Sequence, residues 1–207
     1  MRILVFGSSI EYGAWDSRGG WVDRLKQHLH ARSIASGFKE KVQLLNLGIG
    51  GDTSTKILAR MEHEIEARVS DRWPFTFVFS AGTNDQRCQG GILETKLDQY
   101  GENVQNIIKI ARRYTSRFLF KGLPPLATEV VSLNGSEFSD QRIRAYEDQL
   151  RAVLLAEKVI FVPIRAAFEA KGLSGLFSAD GLHPNDAGHE LIAECVRPEV
   201  DKLLKVI

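Results

Sequence analysis

The stretch Arg2-Ile3-Leu4-Val5-Phe6-Gly7-Ser8-Ser9-Ile10 decides how the chain folds. Its apolar part, Ile3 to Phe6, is too short for the core of a signal peptide and passes straight into Gly7, Ser8 and Ser9. It reads as a first β-strand. Further β-branched and aromatic runs follow at Val42 to Leu47, Phe75 to Phe79, Phe118 to Lys121 and Val159 to Val162. Longer amphipathic segments separate them, the pattern of a parallel sheet covered by helices on both faces. Trp21, Leu25 and Leu29 share one helical face, and Ile57, Met61 and Ile65 repeat that spacing. Further helices are predicted from Leu93 to Tyr114, from Phe138 to Ala156 and from Asp186 to Leu204. Gly122 to Gly135, with Pro124 and Pro125, lacks helical periodicity and is expected to be a loop bordering a cleft. The expected architecture is a three-layer α/β/α sandwich around a doubly wound, five-stranded parallel sheet. Its first strand lies between the second and third, as in flavodoxin-like folds.

Composition narrows the function classes. The 207 residues suit one domain, 1–207, and 43% hydrophobic and 26% charged residues are ordinary globular values. Lys plus Arg number 27 against 26 Asp plus Glu, a net charge of +1, so no field favours nucleic acid or an anionic membrane. No run approaches the roughly 20 apolar residues of a membrane span. Cys88 and Cys195 stand far apart with no CxxC or Cys/His grouping, so neither zinc nor redox chemistry is indicated and both read as ordinary thiols. A cytoplasmic protein without metal or cofactor is expected, and the pattern specifies no oligomeric state.

In open α/β sheets ligands bind beyond the carboxyl ends of the strands, so the residues following each run carry the chemistry. They are Gly7-Ser8-Ser9-Ile10, then Gly48-Ile49-Gly50-Gly51-Asp52-Thr53, then Gly82-Thr83-Asn84-Asp85, and later Asp180-Gly181-Leu182-His183-Pro184. Acyl transfer needs a hydroxyl nucleophile, an imidazole base, a carboxylate to hold the imidazole tautomer, and donors for the developing oxyanion. Ser9, His183 and Asp180 are candidates for the first three. The Asn84 side chain and the backbone N–H groups of Ser9 and Gly51 are candidates for an oxyanion hole.

These four blocks, in this order and at comparable spacing, resemble the SGNH or GDSL hydrolases over nearly the whole chain. The resemblance implies an SGNH hydrolase fold and carboxylic-ester hydrolysis, with Ser9, Asp180 and His183 catalytic and Ser9, Gly51 and Asn84 forming the oxyanion hole. One position departs from the pattern: Ser8 stands where the family usually has Asp. The expected partner is a small-molecule acyl ester, with a short or acetyl acyl group.

Each position also has a plainer reading. Ser9 alone would be a turn residue. A dinucleotide loop starting at Gly48 fails because Thr53 occupies the third glycine position, and Asp52 and Thr53 suit a helix start. Asp85 is expected to be structural. His189, six residues past His183, does not share a helical face with it for metal binding. Trp15, Trp21 and Trp73 suit packing, with Trp15 and Tyr12 near enough to Ser9 to line an acyl pocket. The competing function is a ligand-binding module on the same fold weakened at Ser8; a flavin protein would need a phosphate loop that the sequence lacks.

Overall fold

In the computed structural model, which describes residues 1–70 and 72–205, the opening run forms β1 (Arg2–Gly7). The chain then builds α1 (Ser9–Tyr12), α2 (Gly20–Ala35), β2 (Gln43–Gly48), α3 (Ser54–Glu66) and β3 (Phe75–Phe79). After these come β4 (Cys88–Gln89), β5 (Ile92–Leu93), α4 (Leu97–Tyr114), β6 (Phe118–Lys121), β7 (Val130–Leu133) and β8 (Ser136–Ser139). The remainder is α5 (Asp140–Ala156), β9 (Ile160–Val162), α6 (Arg165–Lys171) and α7 (Asp186–Lys205).

The main sheet is parallel, in the order β2-β1-β3-β6-β9, so the first strand does lie between the second and third. Successive strand residues face opposite sides. Leu4 and Phe6 of β1 join Ile57 and Met61 of α3, Ile107 of α4 and Leu150 of α5 in one core. Ile3 and Val5 join Trp21 and Leu25 of α2, Phe168 of α6 and Ile192 and Val196 of α7 in the other. The result is the expected α/β/α sandwich.

Three boundaries differ from expectation, all on one feature. The predicted helix at Leu93 starts at Leu97, the one at Phe138 starts at Asp140, and the predicted loop Gly122 to Gly135 contains β7. Asn134 and Gly135, at φ 52° and 75°, form a two-residue turn whose twist matches paired strands, so Leu133 pairs with Ser136 and Val131 with Phe138. Gly90 and Gly91 do the same between β4 and β5. The two hairpins join as a four-stranded antiparallel sheet, β5-β4-β8-β7. Helix α5 cannot begin earlier because Phe138 is committed to this sheet, and Ser139 caps it by accepting from the Arg142 N–H.

Candidate active site

Parallel register sets the site. Gly7 lies beside Gly48, and Phe6 beside Phe79, so β1, β2 and β3 end level and the residues after them converge. Ser9 is the first residue of α1, where a helical N–H has no intrahelical partner. The turn before it is braced from within. Glu11 Oε2 accepts the Ser8 N–H at 2.9 Å, and Glu11 Oε1 lies 3.2 Å from Lys121 Nζ at the end of β6. Both side chains are buried. A carboxylate therefore does sit against the backbone preceding Ser9, although position 8 is serine. A Cβ on Gly7 would come within 2.3 Å of Glu11, so this close approach requires glycine there.

His183 and Asp180 arrive from the loop between α6 and α7. Gly181, at φ 69°, turns the chain so that the Asp180 side chain folds back on the residues after it. His183 Nδ1 then lies 2.7 Å from Asp180 Oδ2, and His183 Nε2 lies 2.8 Å from Ser9 Oγ. Asp180 Oδ1 accepts the N–H groups of Leu182 and His183, each at 2.9 Å, and the Ser178 hydroxyl at 2.8 Å. Burial pulls the Asp180 carboxyl upward, but these donors and the His183 side chain outweigh it and hold the pKa at about 2. The carboxylate stays charged and orients the imidazole with its other nitrogen toward Ser9.

The remaining candidates border the same space. Gly51 adopts φ 80°, and a Cβ there would meet nothing within 4 Å, so its backbone edges an open cleft. The buried Asn84 side chain donates one N–H to the Asp52 carbonyl at 3.0 Å, which leaves its second amide proton for another acceptor. Asp52 itself pairs with Arg60, while Thr53 caps α3 by accepting from the Lys56 N–H. Asp85 is buried and accepts from the Ser54 N–H and hydroxyl. Burial raises its carboxyl despite those bonds, a structural role at the α3 N-terminus.

Ser9, Gly50, Gly51, Asn84 and His183 line one cleft of about 870 Å³. Its far wall comes from the two hairpins: Arg87, Gln89, Leu133, Asn134, Ser136 and Phe138. Tyr12 and Trp15 stand exposed at its mouth, whereas Trp21 is fully buried. Of the two roles expected of Trp15, packing and lining the pocket beside Ser9, the structure shows the second. His189 sits beneath the site, with Trp21 N–H donating to its Nδ1 and its Nε2 facing the Ala14 carbonyl. Sequence reasoning missed Glu11, Lys121 and the hairpin wall. Asn134-Gly135 between the alternating apolar and polar residues Val131-Ser132-Leu133 and Ser136-Glu137-Phe138 was a usable signal for the wall; nothing local marked Lys121.

A hydroxyl, an imidazole and a carboxylate in one hydrogen-bonded row, at the carboxyl edge of a doubly wound parallel sheet, form an arrangement that serine hydrolases use. The chain belongs to the GDSL-like lipase/acylhydrolase family, whose model matches residues 5–191, and it is an esterase or acylhydrolase. It is 29% identical over 205 residues to the esterase TesA of Pseudomonas aeruginosa, covering 98% of this chain and 89% of that one. It is 26% identical over 221 residues to the isoamyl acetate-hydrolyzing esterase of Saccharomyces cerevisiae, covering 100% and 85%. Its fold matches the crystal structure of a lipolytic G-D-S-L family protein from Veillonella parvula with a TM-score of 0.74, 21% identity and full coverage of both chains.

Proposed function

We propose that residues 1–207 act as one domain hydrolysing short-chain carboxylic esters through an acyl-enzyme on Ser9. The observation that carries this is the unbroken row from Ser9 Oγ through His183 to Asp180. His183 Nε2 takes the Ser9 proton as Oγ attacks the ester carbonyl carbon. The backbone N–H groups of Ser9 and Gly51 and the free Asn84 amide proton receive the developing oxyanion. The ester C–O bond then breaks, the alcohol leaves with the proton from Nε2, and Ser9 is acylated. Water, deprotonated by the same nitrogen, attacks the acyl carbon; the bond to Ser9 Oγ breaks as Nε2 returns the proton to it, and the acid leaves, losing its own proton to solvent. No step requires a metal or cofactor.

Asp16, Asp23, Arg87, Gln89, Asn134 and Ser136 supply much of the cleft lining. Trp15, Leu133, Phe138 and Leu182 supply apolar wall beside them, so the cleft suits a short apolar acyl group joined to a polar alcohol. The yeast relative, which acts on an acetate ester by its name, points the same way.

The test is labelling with a fluorophosphonate alongside turnover of 4-nitrophenyl acetate. Adduct on Ser9, with Ser9→Ala silent in both assays and Ser8→Ala retaining measurable turnover, is the expected result. An adduct on Ser8, or an active Ser9→Ala protein, overturns the assignment.

A further inference from the structure

Trp15 is held in a backbone conformation that bulky residues avoid, with φ at 65°, and its side chain is 68% exposed. Burial therefore does not explain the strain. The chain clamps the residue from both sides. The Ala14 N–H donates to the Ser9 carbonyl at 2.9 Å, and the Ala14 carbonyl faces His189 Nε2 at 3.3 Å. On the other side Asp16 pairs with Arg24, and the Ser17 N–H donates to Asp186 at 2.9 Å.

The strained conformation aims the indole at Asp180. Nε1–H donates to Asp180 Oδ2 at 3.0 Å, the same oxygen that lies 2.7 Å from His183 Nδ1. The indole also stands edge-on to the imidazole, with ring centroids 6.2 Å apart and planes at 90°. Oδ1 is held by three donors from its own loop. Trp15 comes instead from the segment carrying Ser9, so its bond ties the nucleophile's segment to the carboxylate's loop.

We propose that Trp15 is a positioning residue for the ester hydrolysis proposed above, and the assignment rests on that reading. It fixes Asp180 Oδ2, and through it the direction of His183, while its ring shields the Asp180–His183 hydrogen bond from water.

The test uses the whole chain with 4-nitrophenyl acetate. Trp15→Phe keeps an aromatic side chain on the strained backbone and removes the Nε1–H donor together with the second ring of the indole. Its kcat should fall about tenfold, the rate equivalent of one hydrogen bond to a charged group, with KM changed less than about twofold. Trp15→Gly relieves the backbone, so its thermal midpoint should not fall although kcat drops at least as far. The downfield NMR proton of His183 Nδ1 should broaden by solvent exchange in Trp15→Phe. Unchanged kcat with an unchanged proton signal, or a loss confined to KM, overturns the role. A wild-type chain that neither turns over the ester nor takes fluorophosphonate on Ser9 sinks the hydrolase reading instead, and the proton signal still reports whether Trp15 holds the imidazole.

Discussion

Asn84 stands where one side chain would serve both the fold and the proposed chemistry. One amide proton binds the Asp52 carbonyl, which fixes the side chain, and the fixed orientation commits the second proton to a single direction. A donor that need not reorganise during the reaction is what transition-state stabilisation demands. Asn84→Ala should lower kcat by about 10²- to 10³-fold, as removal of one oxyanion donor does elsewhere. Fluorophosphonate labelling and the circular dichroism spectrum should persist, because the lost bond to Asp52 is only one of the contacts holding that loop. Near-normal kcat in steady-state assays with 4-nitrophenyl acetate removes Asn84 from the site. Gly51 differs, since it contributes only backbone, and its φ of 80° is strained for any side chain.

Between elements, one contact that positions α1 on the sheet is the buried pair of Glu11 and Lys121. Lys121 ends β6 and also donates to the Gly122 carbonyl at 3.0 Å, so the charge bridges a strand and the helix that begins at Ser9. Removing one partner leaves the other charged and out of water. Lys121→Met should therefore destabilise the protein by about 3–5 kcal/mol, read as a lower urea midpoint. The double variant Glu11→Leu/Lys121→Met should recover much of that loss, because no isolated charge remains. A single-variant loss below about 1 kcal/mol would mean that the pair behaves as a solvated surface bridge.

Across the whole molecule, His189 links three parts of the fold: its own helix α7, the start of α2 through Trp21, and the Ala14 turn. With Nδ1 accepting from the Trp21 N–H, the Nε2 proton points to Ala14, and the ring is neutral. Burial pushes its pKa below the ordinary 6.5, and the Ala14 carbonyl and Asp16 offset this only in part. The unfolded chain then binds a proton near pH 6.5 that the folded chain refuses, so stability is fully present above that value and is lost as pH falls below it. Urea midpoints measured at pH 8 and pH 5.5 should show the loss in wild type and a smaller one in His189→Gln. Equal slopes for the two proteins would show that other groups carry the acid sensitivity.

What the sequence by itself determined is what local pattern encodes. Apolar runs of strand length separated by amphipathic segments specified the parallel sheet and its helical layers, and the four blocks beyond those runs, with the family resemblance they carry, marked Ser9, Gly51, Asn84, Asp180 and His183 as candidates for one site. The hairpin turn at Asn134-Gly135 was equally local, but the prolines upstream drew the reading toward a loop. Other features had no local signal. Ser9 and His183 lie 174 positions apart, and their 2.8 Å contact exists only because parallel pairing brings the ends of β1, β2 and β3 level beneath the returning loop. Lys121 read as the polar end of a strand, and Trp15 as a packing or pocket residue. Tertiary structure turned the first into a buried counter-charge for Glu11 and the second into a donor to Asp180. Periodicity reports which face of an element is apolar; where a polar side chain ends depends on the backbone that the rest of the fold places opposite it.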